Sequence, residues 1–215
     1  RDFCLSRGLG DVYKRQVLFN AMVKPWTAFP IKGVIWYQGE ANVGRPEQYG
    51  DLFPALITDW RRQWRSDFPF YFVQLANFME SKEIQPDSEW AALREAQTKA
   101  LKLDQVGMAV TIDIGLADDI HPKNKQEVGR RLALVALAGS YGKNVSGSAP
   151  VFRNYRIKGD KMELDFGQKQ DGFQIKGTTL KGFTIAGPDR VFYPAEAMVQ
   201  NLSLIHISEP TRQAE

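Results

Sequence analysis

Three short apolar runs, separated by stretches with helical periodicity, limit what this chain can fold into. "GVIWYQGE" spans 33–40, "FPFYFVQLAN" spans 68–77 and "VGMAVTIDIG" spans 106–115. Each is rich in β-branched and aromatic side chains, the make-up of strands buried on both faces of a parallel sheet. Between the first two, Leu52, Phe53, Leu56, Ile57, Trp60 and Trp64 recur at helical spacing, with Arg61, Arg62 and Arg65 off the stripe. Pro54 fits such a helix if it begins near Asp51, so that the ring falls in the first turn. "SEWAALREAQTKALKL", 88–103, puts Trp90, Leu93, Ala96 and Ala100 on one face, with Ser88 as the N-cap. Further helices are expected over 17–28 and 128–138. The alternation predicts an α/β fold with right-handed crossovers.

Past about residue 147 the period shortens. "FRNYRIKGDKMELDF", "FQIKGTTLKGFTIAG" and "RVFYPAEAMVQN" are short strand patterns broken by Gly-Asp and Gly-Pro turns. They predict a small antiparallel β unit beside the sheet. The organisation expected is a leader at 1–16, an α/β domain at 17–147, a β-rich unit at 148–202 and a tail at 203–215.

The two ends, "RDFCLSRGLGDVYKRQ" and "SLIHISEPTRQAE", share no periodicity with the body. They resemble translated adapter segments and are set aside from fold reasoning; divergent genuine extensions are the alternative. The exclusion has a chemical consequence. Cys4 and His206 fall in the ends, so the body has no thiol and a single imidazole, His121. Cysteine nucleophiles, disulfide frameworks and Cys/His zinc sites are therefore not expected. The net charge of +3 is mild and no run of like charges stands out, so neither nucleic acid nor an anionic membrane is an expected partner. The apolar runs fall far short of a membrane span, and no charged-then-apolar signal peptide opens the chain.

In open α/β sheets, functional groups gather beyond the carboxyl ends of the strands. "QGEAN", 38–42, follows the first run: Gln38 and Asn42 bring amide donors, Gly39 allows close backbone approach, and Glu40 adds a charge. A side-chain amide aimed at a developing oxyanion lowers an acyl-transfer barrier by about 3 kcal/mol. The same residue types also describe a polar strand-to-loop junction whose amides satisfy backbone groups. "DIGLADDIHP" follows the third run, with Asp118 three residues before His121. A carboxylate bonded to one ring nitrogen fixes the tautomer and leaves the other to accept a proton. A plainer account makes Pro122 the first helical residue, with Asp118 and Asp119 supplying turn and cap oxygens. As a metal set, Asp118, Asp119 and His121 are thin.

"IKGVIWYQGEANVGRPEQY", "WAALREAQ" and "DIGLADDIHPKNKQEVGRRLA", in this order, resemble the sialate O-acetylesterase family of SGNH-type serine hydrolases, over about 17–201. The resemblance implies a three-layer, flavodoxin-like parallel sheet, incomplete here. It implies an acetylated carbohydrate as partner, ester hydrolysis by a Ser-His-Asp triad, no cofactor and no metal. It also implies a secreted or periplasmic parent protein. Residue by residue, His121 becomes the general base and Asp118 its orienting acid. Gln38, with Gly39 and Asn42, serves the oxyanion, and Glu40 buttresses the loop or the histidine. Arg94 and Gln97 shape the pocket.

The family's serine sits in a Gly-Gln-Ser-Asn block, which this chain lacks. Ser66, Ser81, Ser88, Ser140, Ser146 and Ser148 do not stand in a nucleophile elbow. The expectation is a fragment cut short of its nucleophile, and an inactive one. Two other classes stay open: a non-catalytic carbohydrate-binding relative, and a glycosidase using paired carboxylates such as Glu40 and Asp118. The motifs set neither the sugar nor the oligomeric state.

Overall fold

The computed structural model describes residues 16–84, 87–147, 149–166, 180–200 and 204–208. At its centre lie three parallel strands, β1 (Val34–Trp36), β2 (Phe70–Val73) and β3 (Val106–Ala109), in the order β1-β2-β3. Val34 is in register with Phe70, and Phe70 with Val106. The parallel α/β sheet expected from the three apolar runs is what forms.

Successive side chains of a strand point to opposite faces, and β2 is buried on both. Phe70 and Phe72 enter the main core with Tyr49, Phe53, Ile57, Leu75, Trp90 and Leu93. Tyr71 faces the other way, against Val135 and Ala109. The main core is therefore closed by α1 (Pro46–Trp64) and α2 (Glu89–Thr98), and the second by α3 (Lys125–Gly139). Helices on both faces explain why the strands read as continuous apolar runs.

α2 follows expectation. The Ser88 side chain accepts a hydrogen bond from Ala91 N at 3.2 Å, and Trp90, Leu93, Ala96 and Ala100 are all buried. Past Thr98 the coil tightens to a 3-10 turn, Lys99–Lys102. α1 corrects one expectation: it starts with Pro46 in its first turn rather than near Asp51, so Pro54 lies in its interior. The missing N–H at Pro54 faces position 50, a glycine, and Thr58 Oγ1 donates to the Pro54 carbonyl at 3.0 Å. The opening segment is likewise not one regular helix. It coils widely over Phe19–Val23 and tightly over Lys24–Ala28, and neither part buries a residue.

Among the described residues the β-rich part has two sheets. β4 (Asn154–Lys158) and β5 (Lys161–Asp165) form a hairpin whose turn needs Gly159, at φ 62°. β6 (Thr184–Ala186) pairs with β7 (Phe192–Pro194). β8 (Glu196–Gln200) and β9 (Leu204–Ser208) complete a four-stranded sheet ordered β4-β5-β9-β8. β9 falls within the 203–215 stretch set aside above. Residues 1–15, and 173–179 of the second strand pattern, lie outside the described residues. No helix among the described residues is long and apolar enough to cross a membrane.

Candidate active site

β1 ends at Trp36, and the chain turns sharply at Gly39, with φ 155° and ψ −18°. Side chains with a Cβ are strained in that backbone region. Space is short as well: a Cβ there would sit 3.3 Å from Leu93 Cδ2 and 3.4 Å from Gln97 Nε2. A 3-10 turn, Glu40–Asn42, follows, and Asn42 N donates to the Gly39 carbonyl at 2.8 Å. Gln38 Nε2 donates to Asn42 Oδ1 at 2.7 Å. An amide nitrogen has two hydrogens, so one N–H of Gln38 is committed and one is not.

Beneath this turn lies Gln97, fully buried. Its Oε1 accepts from Leu75 N at 3.0 Å, and its Nε2 lies 3.4 Å from both the Gln38 and Val73 carbonyls. Tyr49 OH donates to the same Gln38 carbonyl at 3.2 Å. One side-chain amide thus bonds the main chain just past β1 to the end of β2, and fixes the position of the Gln38–Asn42 turn.

The loops after β2 and β3 are stitched together in the same way. Thr111 Oγ1 donates to the Gln74 carbonyl at 2.6 Å, and Gly115 N donates to Asn77 Oδ1 at 2.7 Å. Met79 N donates to the Ala117 carbonyl at 3.0 Å. Arg131 on α3 braces the underside: it donates to the Val110 carbonyl at 2.7 Å and to Asp113 Oδ2 and Glu127 Oε1, each at 2.8 Å. Hydrogen bonds from Arg130 and then Arg131 pull the Glu127 carboxyl down to about 2. Asp113, and then Glu127, hold the Arg131 guanidinium more firmly protonated than usual.

His121 lies on this loop, just before α3. Its backbone N–H donates to Asp119 Oδ1 at 2.9 Å, and its ring Nδ1 is 3.3 Å from the same oxygen. The backbone bond from His121 is the main cause holding the Asp119 carboxyl below its ordinary value. The imidazole itself is 86% exposed. Asp118, three residues before the histidine, is exposed, and the carboxylate against the ring is that of Asp119. The plainer account of this stretch needs correcting: α3 begins at Lys125 and not at Pro122, because Asn124 Oδ1 caps it by accepting from Glu127 N at 3.1 Å. Pro122 is buried and anchors the loop.

Tyr37 stands between the two clusters. It leaves the end of β1, its hydroxyl is buried beside Thr111 without a hydrogen bond of normal length, and Lys125 Nζ lies 4.9 Å from its ring centre. Burial, and then the charge of Glu40, push the Tyr37 hydroxyl pKa up. The structure therefore gathers Gln38, Gly39, Glu40 and Asn42 into one turn. It sets Asp118, Asp119 and His121 on a loop past the same edge of the sheet, with no hydrogen bond between turn and loop among the described residues. Ser88 is used as a cap and Ser140 pairs with the Tyr71 hydroxyl at 2.6 Å; among the described residues no serine hydrogen-bonds to His121. No three His, Cys, Asp or Glu side chains gather as a metal site among those residues either.

The sequence profile of a carbohydrate esterase family, sialic acid-specific acetylesterase, matches residues 7–138. The chain belongs to that family. The match takes in Gln38–Asn42 and the whole 118–121 loop, and it begins inside the first sixteen residues. Sialate O-acetylesterases of mouse and human are 34% and 37% identical over 191 and 193 residues, 80% of this chain in each case. The chain spans 35% and 36% of those relatives' own lengths. A crystal structure of a carbohydrate acetylesterase from Xanthomonas citri superposes with a TM-score of 0.84 at 42% identity, covering 89% of this chain and 45% of that one.

The resemblance puts Gln97 in the pocket without its clamping role, and Asn77 and the Arg131–Asp113 pair are not visible in the sequence at all. Gln97 carries the signal of a polar residue on an otherwise apolar helix stripe. Asn77 and the Arg131–Asp113 pair carry none, because their partners are remote in sequence.

Proposed function

We propose that this chain carries the base and oxyanion half of a carbohydrate O-acetylesterase site and that it lacks the nucleophile. In the complete reaction a serine hydroxyl attacks the acetyl carbonyl, and His121 accepts its proton. The uncommitted N–H of Gln38, with backbone amides of the Gly39 turn, steadies the oxyanion. Water then hydrolyses the acyl-enzyme and releases acetate. Glu40 supports the turn. An acetylated sugar is the partner, and family resemblance favours a secreted or periplasmic parent protein. The division into a hydrolase part at 17–147 and a β-rich part at 148–202 belongs to the same reading.

The observation that supports this most is the Gln97 clamp, which presents the Gln38–Asn42 turn at the sheet edge where the His121 loop is tied. Asp118 is proposed as the orienting acid from its spacing. The 3.3 Å contact of Asp119 with the ring favours a second reading, in which that carboxylate does the work. The side-chain ¹⁵N shifts of His121 report the tautomer: loss of the true partner, in D118A or D119A, changes them, and loss of the other does not.

Removing one triad member costs up to about a millionfold in turnover. Purified protein is therefore expected to hydrolyse p-nitrophenyl acetate no faster than buffer. Clear turnover that vanishes in H121A sinks the missing-nucleophile reading. Cleavage of a glycosidic bond, with no acetate released, replaces the esterase by the paired-carboxylate alternative.

A further inference from the structure

We infer that Tyr49 is a positioning residue of this site: by donating to the Gln38 carbonyl it holds and polarises the Gln38–Gly39 peptide, whose N–H then meets the ester oxygen. The inference rests on the esterase reading above and adds to it a residue that never touches the substrate.

Tyr49 lies in the first turn of α1 and is 5% exposed, so its ring is out of reach of a sugar. Burial is the main cause that pushes its hydroxyl pKa up, which keeps the O–H intact as a donor. Trp36 Nε1 is buried beside the same hydroxyl without a hydrogen bond of normal length. An indole nitrogen can only donate, so the phenol oxygen turns a lone pair to it and the phenol proton goes to the Gln38 carbonyl, 3.2 Å away. Gln97 Nε2 approaches that carbonyl at 3.4 Å. Two buried side chains therefore point the Gln38 carbonyl inward.

The other end of that peptide faces the opposite way. No peptide bond among the described residues is cis, and in a trans peptide the C=O and N–H point in opposite directions. With the carbonyl turned into the core, the Gly39 N–H is turned away from it. Gly39 is buried, and its N–H reaches no backbone acceptor among the described residues. Buried N–H groups are nearly always paired, so this donor is left for an acceptor that a ligand brings. Its strength is set from behind: a carbonyl that accepts hydrogen bonds makes the N–H of its own peptide a better donor.

The test is ¹H–¹⁵N correlation NMR of the 215-residue chain, titrated with sodium acetate against sodium chloride at equal ionic strength. The acetate carboxylate stands in for the oxyanion. It should move the Gly39 amide proton downfield, and by more than the amides of Glu40 and Ala41. Y49F keeps the ring and loses the O–H. Its Gly39 amide proton should lie upfield of the unaltered position, and acetate should bind it about threefold more weakly. F53L loosens the same core and keeps the hydroxyl, since Phe53 meets the Tyr49 ring at 5.4 Å between centres; it should leave acetate affinity unchanged. An unchanged Gly39 shift and affinity in Y49F overturns the inference, as does an equal loss in F53L. If acetate moves Glu40, Ala41 or the Gln38 side-chain amide but not Gly39, the inference fails and the esterase reading stands. If acetate moves none of them beyond what chloride does, both fail.

Discussion

Two residues, Gly39 and Gln97, decide the shape of the Gln38–Asn42 turn. Gly39 holds a backbone conformation that strains any other residue, with Leu93 and Gln97 close behind it. G39A is expected to cost roughly 1–3 kcal/mol in urea unfolding, from backbone strain and overpacking together. Q97L keeps the volume but strands Leu75 N and the Val73 carbonyl, and leaves the Gln38 carbonyl to Tyr49 OH. Its expected cost is about 1–3 kcal/mol, with faster hydrogen exchange at Leu75 as the local sign. Glu127 gives a pH prediction. Its carboxyl titrates near 2 folded against 4.5 ordinarily, so its stabilisation is complete above about pH 5 and fades as pH falls toward 2. The stability gap between the unaltered protein and E127Q, followed by acid titration at fixed urea, should therefore shrink on acidification. A gap that widens toward low pH contradicts the Arg130–Arg131 bracing. Of these residues Gly39 was visible in the sequence as a permissive position. The need for it depends on what packs behind, which sequence does not show.

Among the elements, α2 was the most legible, since a serine cap and an apolar stripe are local signals and nothing remote overrides them. The start of α1 is not legible in the sequence. Pro46 and Pro54 are both possible first-turn prolines, and packing of Tyr49 and Phe53 into the core recruits the extra turns. Pro122 looks like a helix start in the sequence, but it anchors a loop while Asn124 caps α3. N124A is expected to cost about 1 kcal/mol, the usual loss for a cap. It should also fray the first turn of α3, loosening Lys125 from the Tyr37 ring; a perturbed Tyr37 ring resonance in NMR is the readout. An N124A protein as stable as the parent argues against this cap.

For the whole molecule, the apolar surface left uncovered is the dominant fact. Ile35, in the middle of β1, is 71% exposed, and Met22, Trp26 and Phe29 are 65%, 60% and 60% exposed. β1 is also the outermost strand of its sheet among the described residues. An exposed apolar strand edge is a template for pairing with another chain. Concentration-dependent self-association is expected in sedimentation velocity, reduced by I35K. A monodisperse species, unchanged by that substitution from low to high concentration, counts against it.

The sequence by itself determined the class of fold and the chemistry on offer. Strand and helix periods are local, and amide, carboxylate and imidazole groups are set by residue type. The tertiary structure decided which atoms meet. Gln97 reaches the chain just past β1 from a helix far along the sequence, and Arg131 reaches Asp113. Such pairings follow from how helices settle on a sheet, and the energy of burying their apolar faces leaves no mark in the spacing of the polar residues that are carried along.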